Sequence, residues 1–177
     1  MKRVTLSACI LSVLFTLFLL NDLNGQTGDK GTVDKPDYGK NIVYTPAPPP
    51  ETPPEATNLG QQPADMLKQI TYLDSQVVPG AYYAECSWLY KAYPDIVWVT
   101  EHTHDADEVF GLYGSDPDNP NELNGEIELW IDGERHVITK SCLIFVPKGV
   151  KHCPLKILRV DKPIFFFTTM PAHKYAF

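Results

Sequence analysis

The sequence predicts an all-β domain made of short antiparallel strands. From Thr71 onward, short apolar or aromatic stretches alternate with turn residues, a pattern typical of a β-sandwich or a β-barrel. No long stretch has the periodicity of an amphipathic helix. The dipeptide Asp132-Gly133 separates two alternating stretches and supplies the positive φ values of a type I′ hairpin turn. We therefore expect one antiparallel β domain.

The predicted strands follow one another along the second half of the chain. Residues 126–131 alternate strictly, so that Glu126 and Glu128 share one face of the strand and Ile127 and Leu129 share the other. The full set of predicted strands is 70–73, 81–89, 96–104, 108–113, 126–131, 135–139, 143–146, 155–160 and 164–169.

The first residues have the pattern of an export signal. Lys2 and Arg3 precede an uncharged run over residues 4–20, and the small residue Gly25 follows. This order predicts a signal peptide over residues 1–25 and a periplasmic or extracellular protein. A retained anchor is the alternative, although the run is close to the shortest that spans a hydrocarbon layer of about 30 Å.

Residues 26–65 are polar and then rich in proline, which favours an extended tether or an inserted loop. Within them, residues 38–44 are β-prone and could add a strand. We expect the compact domain to cover residues 66–177, or to begin near Asp37 with the proline segment as an insertion.

Charge and cysteine content exclude several classes of protein. Lys and Arg number 15 against 22 Asp and Glu, a net charge of −7, so nothing indicates a basic surface for nucleic acid or anionic lipid. If Cys9 leaves with the signal peptide, Cys86, Cys142 and Cys153 remain, and they can form at most one intrachain disulfide. The expected partner is a small molecule, and an exposed sheet edge would allow a homodimer.

Three histidines and a glutamate have the spacing of a metal site. His102 and His104 are two residues apart, so on a strand both would project to one side. Glu108 can add an oxygen ligand, and His152 can approach from a strand distant in sequence. Three imidazoles and one carboxylate suit Fe, Mn, Zn, Ni or Cu and do not distinguish among these metals.

The same residues resemble the two motifs of the cupin superfamily. His102 to Glu108 follows the pattern H-x-H-x(3,4)-E, and Pro147 to His152 follows P-x-G-x-x-H. The resemblance implies a single antiparallel jelly-roll barrel in which His102, His104, Glu108 and His152 bind one divalent transition metal ion. The chain departs from the family pattern at Ser115 and Ser141, where the motifs usually have glycine; Gly114 stands one residue early.

Two functions remain open. The first is a metal-dependent enzyme for a small oxygenated organic substrate, of the dioxygenase, decarboxylase or isomerase type that the resemblance admits. The second is a non-catalytic module that binds a metal or a small ligand. Catalysis needs a titratable group in the cavity besides the metal ligands, and Glu126 and Glu128 are the candidates. Trp98, which shares the face of His102, is a candidate wall of the pocket.

Overall fold

The computed structural model describes residues 37–44, 46 and 62–175. The predicted signal peptide and most of the polar and proline-rich segment lie outside this part of the chain. Within it, the regular elements are a 3₁₀ helix η1 (Gly39–Asn41) and the strands β1 (Leu67–Leu73), β2 (Tyr83–Leu89), β3 (Glu108–Gly114), β4 (Glu122–Ile131), β5 (Glu134–Lys140), β6 (Cys142–Val146), β7 (His152–Val160) and β8 (Ile164–Met170).

The strands form two antiparallel sheets, as the sequence predicts. One sheet has the order β1-β2-β8-β3-β6 and the other the order β5-β4-β7. Buried side chains of both sheets, such as Leu112, Phe166, Ile127 and Leu155, pack into one hydrophobic cluster. Among the described residues, no helix is long and apolar enough to span a bilayer.

The hairpin between β4 and β5 confirms the prediction made from Asp132-Gly133. Both turn residues have positive φ values, 49° and 80°, and Ile131 pairs with Glu134 across them. A type I′ turn requires this conformation at both central positions. Along β4, Ile127 and Leu129 are buried in the core, as the alternation predicts, but Glu128 between them is also largely buried, against Arg135 and Trp130.

The predicted strand over residues 96–104 is wrong. This segment makes only two isolated bridges to β7, Val99 with Leu155 and His102 with His152. Between those bridges on β7 lie Cys153, with a φ of 67°, and Pro154, which has no N–H to donate. A continuous ladder therefore cannot form, and the segment stays irregular. Residues 38–44 likewise add no strand and contain η1.

The three cysteines of the described chain are free thiols. Cys86 and Cys142 are half-buried and Cys153 is buried.

Candidate metal centre

The structure brings together the four residues that the motifs single out. His102 and His104 come from the irregular segment, Glu108 begins β3 and His152 begins β7. One side-chain nitrogen or oxygen of each residue lies within 4.8 Å of the corresponding atoms of the other three. His104, Glu108 and His152 are buried, while His102 is half-buried. The spacing of a histidine pair, a glutamate and a distant histidine thus produces one compact group of potential ligands.

Backbone carbonyls orient two of the imidazoles. His102 Nδ1 lies 2.7 Å from the carbonyl oxygen of Thr100, and His152 Nδ1 lies 3.0 Å from that of Val150. Because a carbonyl oxygen only accepts, each Nδ1 must carry the hydrogen and donate it. The lone pair is then on Nε2, which faces the centre, and this is how outer hydrogen bonds orient histidine ligands in metal sites. Burial also lowers the pKa of His102 to about 4, so its ring is neutral near pH 7.

The atoms at the centre fit a cation. Glu108 Oε2 lies 3.3 Å from His104 Nε2 and 2.9 Å from His152 Nε2. Within the described chain, neither Glu108 Oε2 nor His152 Nε2 has a partner in hydrogen-bond geometry, and both are buried. A carboxylate oxygen and an imidazole lone pair this close repel each other unless they share a positive charge. A divalent ion coordinated by both atoms would satisfy them.

The carboxyl group of Glu108 is held in its charged form. Burial by itself would raise its pKa, but hydrogen bonds that the imidazoles of His104 and His152 donate when Nε2 carries the hydrogen, together with the one from Thr168, outweigh burial and lower the pKa to about 2. The Thr168 hydroxyl donates to Oε1 over 2.7 Å, which leaves Oε2 directed at the histidines. Glu108 is therefore an anionic oxygen ligand over the whole physiological pH range.

A cavity of about 350 Å³ opens directly at the centre. His102 and Glu108 form part of its wall, together with polar groups from β1, β2 and β8 such as Gln69, Glu85 and Thr168. The rest of the wall is mainly apolar and includes Leu67, Trp98, Val99, Phe110, Leu155 and Phe166. Trp98, predicted as a pocket wall, lines this cavity and packs against Phe166 with ring centroids 4.9 Å apart.

Comparison with known proteins finds likeness in structure only. No protein-family model and no curated protein sequence matches the chain. Solved structures that resemble it include KdgF from a Halomonas species, with 15% identity over 58% of this chain and 76% of that chain and a TM-score of 0.35. An RmlC-like cupin from Shewanella frigidimarina has 21% identity over 64% of this chain and 83% of its own, with a TM-score of 0.37. An oxalate oxidase in complex with glycolate has 12% identity over 88% and 70%, with a TM-score of 0.47.

The chain forms two antiparallel sheets that share one core, and the histidines and the glutamate of both motifs lie together at a cavity. This is the arrangement that the motifs imply. The fold is a cupin-type barrel. Its large sheet supplies Glu108 and Thr168, and its small sheet supplies His152.

Glu85 is a carboxyl group in the barrel cavity that the sequence analysis missed. It lies on β2 between Tyr83 and Ser87, whose hydroxyls donate to its two carboxylate oxygens over 3.2 Å and 3.4 Å. Burial raises the pKa of Glu85, and hydrogen bonds from Gln69, Tyr83 and Ser87 oppose that shift. The sequence does not single out Glu85 because the opposite face of β2 carries Cys86 and Trp88, and these apolar side chains make that face the expected core face.

Two further side chains lie near the centre. Tyr175, after β8, places its hydroxyl 3.4 Å from His102 Nε2, and its ring centroid lies 5.1 Å from that of His104. Cys153 lines the cavity but is not one of the four grouped ligands. Burial raises the pKa of its thiol, so Cys153 is protonated at neutral pH and is a poor metal ligand.

Glu126 and Glu128, the predicted candidates for proton transfer, lie away from this cavity. Glu126 pairs with Arg159 at 3.1 Å, and Glu128 pairs with Arg135 at 2.7 Å and accepts a hydrogen bond from Trp130. The hydrogen bond from Trp130 is the main cause that lowers the pKa of Glu128. Neither residue is among those that line the cavity, and a catalytic role for them stays a prediction.

The hydrogen bond from Thr168 to Glu108 gives a testable expectation. Thr168→Val keeps the shape of the side chain but removes the donor to Oε1, so the carboxylate loses the contact that orients it. We expect metal affinity to fall by about 10- to 100-fold, measured by competition with a chromogenic chelator. Thr139→Val, at an exposed position on β5, is the matched control, and equal affinities for both variants would contradict the expectation.

Proposed function

We propose that the protein is an exported, mononuclear metal-dependent enzyme that acts on a small oxygenated organic substrate. The observation that supports it most is the set of four ligand atoms within 4.8 Å of one another at the wall of a cavity of about 350 Å³. Three histidines and one glutamate can hold Fe, Mn, Zn, Ni or Cu. A bound ion of this kind polarises a carbonyl or hydroxyl oxygen and, for the redox-active metals, supports dioxygen chemistry.

The residues of this chain would have distinct tasks in such a reaction. His102, His104, Glu108 and His152 would hold the ion, and Thr100, Val150 and Thr168 would orient them through the hydrogen bonds described above. The apolar wall would exclude water from the reacting end of the substrate. A dioxygenase, a decarboxylase and an isomerase are all compatible with this set of residues.

Glu85 favours an enzyme over a non-catalytic binding module. A cavity that only stores a ligand needs no titratable group besides the metal ligands, whereas catalysis usually requires an acid or a base there. Glu85 is such a group, because its carboxyl lines the cavity and burial raises its pKa. The module is the outcome that remains if the loaded protein proves inactive.

Export is supported by the sequence alone. Lys2, Arg3 and the uncharged run over residues 4–20 have the order of a signal peptide. Mass spectrometry of the protein recovered from the expressing cells is expected to show a mature chain that begins near residue 26. A chain recovered with residues 1–25 attached would contradict this part of the proposal. A homodimer, predicted by analogy, also stays a prediction.

The decisive experiment joins metal analysis to turnover. Protein purified without chelators is expected to contain one equivalent of a transition metal, and chelation is expected to remove activity that the same metal restores. Dioxygen uptake and product formation would be followed over a panel of small hydroxylated and carbonyl compounds. Protein that binds no transition metal would overturn the proposal, and bound metal without turnover would favour the binding module.

A further inference from the structure

The cavity has an unusual balance of charge. Among the described residues that line it there is no lysine and no arginine, whereas Glu85 and Glu108 both contribute carboxylates. Glu108 faces the histidines and would share its charge with a bound ion. In the part of the chain that the structure describes, the donors to Glu85 are all neutral, namely Gln69, Tyr83 and Ser87. Because donors reach both of its oxygens, hydrogen bonding favours the carboxylate form, and among the described lining residues no basic side chain neutralises it.

Glu85 is also close to the centre without belonging to it. Glu85 on β2 and Thr168 on β8 are directly paired residues, so their side chains share one face with Cβ atoms about 5 Å apart. Thr168 in turn donates to Glu108 over 2.7 Å. A molecule bound at the centre would thus lie within reach of Glu85 if it is the size of one aromatic ring.

The remaining wall indicates what the body of that molecule would be. Trp98, Phe110 and Phe166 present aromatic surface, and Leu67 and Leu155 present aliphatic surface. Such a wall binds an apolar ring or chain by excluding water from it.

We propose that Glu85 selects the substrate by charge, accepting a hydrogen bond from a neutral hydroxyl or an ammonium group and repelling a carboxylate. The inference rests on the proposed function, because it places another oxygen of the same molecule at the metal centre. The substrate class is then a neutral or cationic hydroxylated compound with an apolar body, such as a phenol or a diol, and not a dicarboxylic acid.

The physical basis is the cost of burying like charges. A second carboxylate beside Glu85 would be desolvated and would meet an uncompensated negative charge. A hydroxyl, in contrast, donates to a carboxylate whose partial burial makes a further hydrogen bond favourable. A site built around an acceptor discriminates strongly against molecules that cannot donate to it.

The test compares two ligands that differ in one group. Hydroquinone and 4-hydroxybenzoate share a benzene ring and a phenolic oxygen, but the second group, across the ring, is a hydroxyl in hydroquinone and a carboxylate in 4-hydroxybenzoate. Dissociation constants would be measured without oxygen on the full chain loaded with Co²⁺. Glu85→Gln is expected to weaken hydroquinone binding and strengthen 4-hydroxybenzoate binding, so that the ratio of the two constants shifts at least tenfold toward 4-hydroxybenzoate.

Matched variants make the outcome decisive. Glu122→Gln neutralises an exposed glutamate that pairs with Lys140 and is expected to leave the ratio unchanged. Glu85→Met is a second neutral variant with the same expected shift. Glu85→Asp keeps the charge and is expected to keep the wild-type preference for hydroquinone over 4-hydroxybenzoate. Failure of the wild-type chain to bind Co²⁺ would overturn the proposed function and the selection with it. Normal Co²⁺ loading with an unchanged ratio in Glu85→Gln would overturn the selection alone.

Discussion

His104→Ala is expected to lose nearly all bound metal while keeping a β-rich circular dichroism spectrum. His104 is only 4% exposed, and its Nε2 lies 3.1 Å from His102 Nε2 and 3.3 Å from Glu108 Oε2. Removing one of four ligands is expected to lower affinity by at least about 100-fold, since loss of an outer-shell partner alone costs about 10- to 100-fold. The sheets should survive because His104 lies outside every strand.

His136→Ala is the matched control for this experiment. His136 is a half-buried residue on β5 and lies outside the four-residue group. Metal per chain, measured by plasma mass spectrometry, should stay at the wild-type value in this variant and fall close to zero in His104→Ala. Wild-type stoichiometry in His104→Ala would refute the centre as described.

Gly114→Ala is expected to destabilise the barrel by about 2 to 4 kcal/mol. A Cβ atom built on Gly114 would lie 2.0 Å from the carbonyl oxygen of Glu122 and 3.0 Å from that of Leu123. These are backbone atoms of β4, so no change of rotamer relieves the overlap. The end of β3 or the beginning of β4 would have to move, with loss of the packing around buried Leu123.

Urea unfolding followed by fluorescence would measure this effect. Ser115→Ala, at the exposed next position, is the control and is expected to change the free energy of unfolding by less than about 0.5 kcal/mol. If the two variants were equally stable, the close approach of β3 to β4 would be wrong.

The same place in the fold explains the departures from the cupin motifs at Ser115 and Ser141. The requirement for glycine falls on Gly114, one residue before the usual position, because it is there that the chain meets Glu122. Ser141 stands where the second motif usually has glycine, and its hydroxyl accepts a hydrogen bond from the Gly114 N–H over 3.0 Å. The displaced glycine of the first motif, Gly114, and the serine of the second motif, Ser141, are therefore in contact in the barrel although they are 27 residues apart in the sequence.

Much of the fold could be predicted from patterns among residues that are close in the sequence. Alternation of apolar and polar residues predicts β4 and the burial of Ile127, and Asp132-Gly133 predicts the turn that follows. Both depend on interactions between residues near in sequence, which is why the sequence alone determines them. The grouping of the four potential ligands was predictable because their spacing matches the two motifs, although His102 and His104 lie on an irregular segment and not on the predicted strand.

Other features depend on contacts that the sequence does not display. The histidine segment looks like a strand, but its partner on β7 is interrupted by Cys153 and Pro154, which lie about 50 residues away in the sequence. Glu85 looks exposed because Trp88 and Cys86 make the opposite face of β2 the more apolar one. Only the position of β2 inside the barrel shows that Glu85 faces the cavity.

The position of β8 has a consequence for the order of assembly. Although β8 is the last strand in the chain, it lies in the middle of the large sheet and hydrogen-bonds both β2 and β3. During synthesis, the strand that carries Glu85 and the one that carries Glu108 have no shared neighbour until Ile164–Met170 emerges. Such long-range pairing is slow to form, so we expect ion capture to follow the docking of β8 between β2 and β3 and not to guide the earlier steps of folding.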